Sequence, residues 1–200
     1  MIGNGLQLGV QLPVEALLFI IAVPWPDLSC EAKPGASQQK PGLKLLTSKS
    51  DTIRAWPGGF GDAKVGANYG PALRTHGEAL GKGCDQILWL LGDDGHVTEA
   101  GASNFFVVWR NKKCGKLELV TSPLDDKIIL DGVTRRSVLD LARGRLHERD
   151  GLDDLEPLNV VERNFTMHGV ARAWEEGRLV EAFVSGTAVS TKRGFGSVNN

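Results

Sequence analysis

Apolar and polar positions along the chain fall into runs of two kinds, short strand-like runs and longer helical patterns. Asp85 to Leu91 is an apolar run that stops at Gly92-Asp93-Asp94-Gly95, which predicts a strand entering a hairpin turn of the Asp-Gly type. Val97 to Trp109 returns as strand, Arg110 to Lys116 turns, and Leu117 to Thr121 pairs back. Helical patterns cover Tyr69 to Gly81, Val133 to Arg145 and Thr166 to Glu176, with further strands at Asn159 to Arg163 and Glu181 to Ser185. The longest apolar run, Ala16 to Val23, is far below the roughly 20 residues that span a bilayer and is read as a buried strand. Pro24, Pro26, Pro34 and Pro41 with Gly35 and Gly42 mark residues 25–42 as a connector between residues 1–24 and a main domain over residues 43–188, with a polar, Gly-rich tail at 189–200. Mixed strands and helices without repeats give an α+β class with a twisted, partly closed sheet.

Composition narrows the functional classes. At 200 residues and 42% hydrophobic content the chain is long enough to bury a sizeable core. A balance of 23 basic against 24 acidic residues offers no attraction to nucleic acid or to an anionic membrane. No basic start precedes the first apolar run, so no targeting segment is visible. Cys30, Cys84 and Cys114 lie far apart, without metal-ligand spacing, and their odd number argues against a disulfide framework, which leaves a reducing compartment as the default. His76, His96, His147 and His168 have no paired spacing for a metal and read as surface or capping residues. Trp89, Trp109 and Trp174 read as core.

The candidate chemistry begins at Gly61-Asp62-Ala63-Lys64-Val65-Gly66-Ala67-Asn68-Tyr69-Gly70. Small neighbours let a bulky planar group approach Lys64, and desolvation would free its amine as a nucleophile, with Tyr69 near enough to balance charge. A solvated lysine in a hairpin-to-helix turn fits the same residues. Glu99 stands alone among small residues before the run Asn104 to Trp109, and Ala100, Gly101 and Ala102 leave space beside it for a planar ring, which sets a functional reading ahead of an ordinary strand-end glutamate. Asp131-Gly132-Val133-Thr134 opens a helix whose first amides lack intrahelical partners and attract a phosphate, although Asp131 as N-cap explains that segment equally well. Ser185-Gly186-Thr187-Ala188 closes a strand with a hydroxyl. A lysine for an aldehyde, a carboxylate for a ring nitrogen and donors for a phosphate are together what pyridoxal 5'-phosphate requires of a protein.

Those residues resemble the branched-chain amino acid aminotransferases, pyridoxal-phosphate enzymes of fold type IV, with wording like that of fungal members. The similarity runs from about Ile2 to Ala188 through "IRAWPGGFGDAKVGANYGPAL", "VTEAGASNFFVVW", "LDGVTRRSVLDLA" and "VSGTA". It implies that Lys64 is the catalytic lysine that binds the cofactor aldehyde, that Tyr69 lies near the phenolic oxygen, and that Glu99 pairs with the pyridine nitrogen. It also implies that Val133, Thr134 and Thr187 hold the phosphate and that Thr187 and Ala188 face the substrate carboxylate. The implied activity is transfer of an amino group between leucine, isoleucine or valine and 2-oxoglutarate, in a homodimer, in cytoplasm or mitochondrion. By the same resemblance, residues 1–24 are a remnant of a small N-terminal domain, most of which the family carries upstream of Met1, together with an arginine for the phosphate. The alternatives are a non-catalytic fragment, or a related fold type IV transaminase or lyase. Ala102 stands where many members have threonine, Asp131 where many have proline, and residues 189–200 do not follow the family's continuation.

Overall fold

The computed structural model describes residues 2–3, 5, 9–24, 42–146, 156–187 and 192–193. The chain divides into two units, Met1–Gln39 and Lys40–Asn200. In the first, β1 (Ile2–Gly3) pairs antiparallel with β2 (Ala16–Leu17), Ile2 opposite Leu17. The buried strand expected over Ala16 to Val23 is not formed: only two of its residues are extended in a ladder, and Leu17, Leu18, Phe19, Ile20, Ile21 and Val23 are exposed. Among the described residues of this unit, no second layer covers the apolar side chains of the two-stranded ribbon. The connector expected over residues 25–42 lies outside the described residues apart from Gly42, and so does the tail apart from β10 (Lys192–Arg193).

In the second unit, β3 (Leu45–Thr47) is followed by α1 (Gly66–Gly81), β4 (Gln86–Leu91), β5 (His96–Ala100), β6 (Ser103–Arg110) and β7 (Leu117–Thr121). After these come α2 (Val133–Arg145), β8 (Leu158–Glu162), α3 (Met167–Glu175) and β9 (Leu179–Ser185). The sheet runs β10-β9-β6-β5-β4-β3, with β7 also on β6 and β8 on β7. It is mixed: β3 with β4 and β7 with β8 are parallel, the other pairs antiparallel.

The single strand expected from Val97 to Trp109 is two strands. Gly101 takes φ +57°, and a Cβ there would meet the Gln86 side chain, so the chain reverses at Gly101-Ala102 and pairs Glu99 with Asn104. This reversal forks the sheet at β6. One edge of β6 carries β9 from Asn104 to Trp109, while the other carries β5 at Asn104 and then β7 from Phe106 onward.

The period-two alternation of β6 divides the core. Phe105, Val107 and Trp109 pack with Phe165 and with Val170 and Ala173 of α3, whereas Phe106 and its partly buried neighbour Val108 pack with Leu119 and with Leu139 and Ala142 of α2. Phe106 stacks on Phe183 of β9 at 4.9 Å between ring centroids. Arg135, a buried side chain of α2, donates to the Ser122 carbonyl at 2.8 Å and to Glu162 at 2.6 Å, which ties α2 to the end of β8. The side chain of Thr166 caps α3 by accepting from the Gly169 amide at 3.0 Å. Trp174, expected in the core, is 62% exposed. It follows the buried Ala173, and one helical step of 100° carries it off the packed face.

Candidate active site

Helix α1 begins at Gly66, and the loop before it carries Lys64. Asn68, in the first turn and buried, donates through Nδ2 to the Phe60 carbonyl at 2.6 Å and to the Ala63 carbonyl at 3.1 Å. These bonds fold the loop back on the helix mouth. Gly61 makes the closest approach, because a Cβ there would run into the carbonyls of Lys127 and Ile128. Lys64 is exposed, with Nζ 5.4 Å from the centroid of the Tyr69 ring. The desolvation expected for its amine is not supplied by these neighbours, since glycines and alanines place no side-chain bulk over it.

Glu99 lies at the end of β5 and is 1% exposed. Its Oε1 accepts from Asn104 Nδ2 and from the Leu130 amide, each at 3.1 Å, while Oε2 stands 2.9 Å from Nη1 of Arg54. The Arg54 contact is an ion pair without the angles of a hydrogen bond, so Oε2 keeps its acceptor capacity. Burial pushes the Glu99 carboxyl up to about 7, with the fields of Arg54, Lys64 and Arg135 and the Leu130 amide opposing it. The Arg54 guanidinium also lies 5.8 Å from the Tyr69 ring centroid, and the Tyr69 hydroxyl is buried without a hydrogen-bond partner.

Asn104 carries the cluster onward, donating to the Leu130 carbonyl at 2.9 Å just before α2. The N-cap of α2 is Gly132, not Asp131, and it makes no side-chain cap. Asp131 turns its carboxylate instead to Nε of Arg136 at 2.8 Å, and Gly132 presses so closely on the Asn104 side chain that a Cβ would collide with it. The amides of Val133 and Thr134, at the first helical positions, have no intrahelical acceptor. Ser185 pairs with Asn104 across β9 and β6, which brings Gly186 and Thr187 to the same end of β6. The Ser185 hydroxyl is buried and unpartnered, and Thr187 is exposed. Ala188 lies outside the described residues.

Side-chain contacts thus join Lys64, Tyr69 and Glu99 through Arg54, and side-chain and strand contacts join Glu99 through Asn104 to the start of α2 and the end of β9. Three members of this cluster, Arg54, Asn68 and Asn104, escape sequence reasoning. An arginine in a loop and two asparagines carry no periodic signal, although their place inside the segments that hold Lys64 and Glu99 is the cue available. Among the described residues no group of His, Cys, Asp and Glu is arranged to hold a metal ion, and no helix is long and apolar enough to cross a membrane.

The family described as amino-transferase class IV matches residues 11–188. The chain is 46% identical over 188 residues to the mitochondrial branched-chain-amino-acid aminotransferase of Rattus norvegicus, covering 94% of this chain and 43% of that protein. It is 44% identical to the mitochondrial enzyme of that name in Saccharomyces cerevisiae and 42% identical to the cytosolic one, covering 94% of this chain and 44% and 46% of theirs. The chain therefore spans less than half the length of the curated relatives it matches. Among solved structures, the branched-chain amino acid aminotransferase of Thermobaculum terrenum in its PLP holo-form aligns with TM-score 0.55 and 26% identity over 76% of this chain and 41% of that one. That of Thermoproteus uzoniensis with norvaline aligns with TM-score 0.58 and 24% identity, over 76% and 43%. The fold is that of fold type IV, a mixed sheet with three helices among the described residues.

Proposed function

The chain belongs to the class IV amino-transferase family, and from that membership we propose that its chemistry is transfer of an amino group between leucine, isoleucine or valine and a 2-oxo acid such as 2-oxoglutarate, with pyridoxal 5'-phosphate as cofactor. The observation that carries this reading is Glu99, a carboxylate buried at 1% exposure, with an unused acceptor on Oε2 and a lysine whose field reaches it. The buried, unpartnered Tyr69 hydroxyl fits the same group, which brings a phenolic oxygen and a ring nitrogen.

When bound, pyridoxal phosphate supplies an aldehyde to take up the amino group and a pyridinium ring that withdraws electrons from the substrate α-carbon. Lys64 would hold the aldehyde covalently, and its Nζ would be the base placed to take the α-proton. Glu99 would hold the ring nitrogen in its protonated form, and Tyr69 would donate to the phenolic oxygen. The Val133 and Thr134 amides and the Thr187 hydroxyl serve the phosphate, and the Thr187-Ala188 turn the substrate carboxylate. Asp131 does not oppose the phosphate with a free charge, since Arg136 pairs with it. Domain roles follow the sequence reading: residues 43–188 bind the cofactor, residues 1–24 belong to a small N-terminal domain, and the working assembly is a homodimer in mitochondrion or cytosol, the compartments named for its relatives.

The test is to incubate the chain with pyridoxal phosphate, reduce with borohydride and map the peptides, alongside an assay for leucine-dependent glutamate formation. Label confined to Lys64 and lost in Lys64→Ala, with turnover from leucine exceeding that from alanine, is the expected result. Label spread over surface lysines, or glutamate formation indifferent to Lys64→Ala, overturns the assignment.

A further inference from the structure

Arg54 lies in a loop, where arginine side chains ordinarily reach solvent, yet it is 3% exposed. Its Nη1 donates to the Ile128 carbonyl at 3.0 Å and reaches the Gly61 carbonyl at 3.4 Å, with Nη2 at 3.5 Å from the same oxygen. Those contacts fix the guanidinium between the loop that enters Lys64 and the segment that enters α2. From that anchored position Nη1 stands 2.9 Å from Glu99 Oε2. Sealing two charges from water carries a desolvation penalty of several kcal/mol, which a purely structural pair recovers by saturating its hydrogen bonds. This pair is not saturated. Nε of Arg54 and Oε2 of Glu99 are both buried without a hydrogen-bond partner; Arg135, the other deeply buried arginine, also leaves Nε unpartnered, but its acceptor Glu162 has both oxygens taken, by Arg135 and Arg143, each at 2.6 Å. An ion pair left partly unused at the centre of a site is suited to a third group that completes it.

We infer that Arg54 is a positioning residue for the reaction: acting through Glu99, it supplies the counter-charge and the orientation that let the buried carboxylate present Oε2 to the ring nitrogen of the cofactor, and it locks that carboxylate to the lysine loop. This role rests on the cofactor reading above. The groups that face Glu99 are Arg54 from the loop before α1, Lys64 from the same loop, Arg135 from α2, the Leu130 amide and the Asn104 side chain. Among the described residues Arg54 is the cation in direct contact. Removing its charge therefore shifts Glu99 toward the protonated form, whereas a packing residue of the same length would leave the titration of Glu99 in place.

The experiment follows the Glu99 carboxyl carbon by NMR in the cofactor-free full chain as pH is raised. Arg54→Gln is expected to move the Glu99 midpoint upward by about one pH unit or more, a tenfold gain in proton affinity, and Arg54→Lys to restore at least half of that shift. In the unmodified chain the Arg54 Nε resonance is expected to titrate with the Glu99 midpoint and to become flat in Glu99→Gln. An unmoved midpoint in Arg54→Gln, or an Arg54 Nε signal indifferent to Glu99, overturns the role; should Arg54→Gln fail to fold, the Nε titration of the unmodified chain decides. Borohydride labelling of Lys64 is read in parallel. Labelled Lys64 with an unmoved Glu99 sinks this inference alone, whereas unlabelled Lys64 with a shifted Glu99 sinks the cofactor assignment and leaves the coupling of the two side chains standing.

Discussion

Asn68 holds Phe60 from eight positions away: its Nδ2 donates to the Phe60 carbonyl at 2.6 Å, and the same nitrogen takes the Ala63 carbonyl at 3.1 Å. Helix α1 thereby grips the loop that presents Lys64, through a side chain buried at the helix mouth. Asn68→Ala removes one of two donors from each carbonyl, since Phe60 and Ala63 still accept from the Ala63 and Val65 amides at 3.0 Å, for a loss of about 0.5–1.5 kcal/mol. The expected outcome is a lower urea midpoint together with slower borohydride labelling of Lys64. An unchanged midpoint and unchanged labelling would show that the loop is held by other means.

Glu99 gives the cofactor-free chain an unusual pH dependence. Its folded carboxyl sits at about 7, against an ordinary 4.5, with burial as the main cause. The folded state therefore binds this proton more tightly than the unfolded state, so the contribution is full below about 4.5 and is lost as pH rises through 7, by roughly 3 kcal/mol. Glu118 and Glu162 act in the opposite sense: burial alone would raise them, but hydrogen bonds from Arg163, Asn111 and Trp109 to Glu118, and from Arg143 and Arg135 to Glu162, leave both lowered. Their contributions fade as the solution is acidified below the usual carboxylate range. Thermal unfolding between pH 5 and 8 checks this: Glu99→Gln should flatten the decline. A decline equally steep in the variant would assign it to another group.

Tyr69→Phe separates folding from ligand binding. The hydroxyl makes no hydrogen bond within the chain, so its removal is expected to leave stability within about 0.5 kcal/mol of the parent or to raise it. Affinity for pyridoxal phosphate, followed by absorbance titration, should fall by roughly tenfold or more, the range for losing a hydrogen bond to a charged oxygen. A marked loss of stability without cofactor would mean the hydroxyl serves the fold.

Two glycines of one motif should respond oppositely to alanine. Gly61 has the carbonyls of Lys127 and Ile128 against the place of its Cβ, and Gly61→Ala must push backbone aside at about 1–3 kcal/mol. Gly70 lies within α1 with nothing within 4 Å of that place, and Gly70→Ala is expected to stabilise by roughly 0.5–1 kcal/mol. Denaturation midpoints measured side by side check the contrast.

Legibility followed the range of the interaction. The hairpin at Gly92 to Gly95, the strand Leu117–Thr121 and helix α2 are written in local turn chemistry and periodicity, and they stand where the sequence predicts them. Residues spaced along one motif, such as Lys64 and Tyr69, are likewise legible, and the resemblance extends that to Glu99. Arg54 and Ile128, by contrast, are 74 residues apart, and no local pattern states that a loop arginine will be drawn inside to meet them. Trp174 and the Ala16 to Val23 run fail for a related reason, since apolarity signals a wish for burial without naming a partner to provide it. The reversal at Gly101 was within reach, because a glycine inside a strand pattern is a known mark of a break.

The forked pairing of β6 also governs the order in which a ribosome can complete this sheet. When Thr121 emerges, β6 has β5 and β7 along one side only, and its other edge, with Phe106 ready to stack, must wait for Leu179–Ser185. During that interval of translation the nascent chain carries an open, apolar strand edge, the surface on which two such chains pair most readily. Synthesis that stalls or ends before residue 179 should thus yield an aggregating product, while a few residues more close the edge and bring Ser185 beside Asn104.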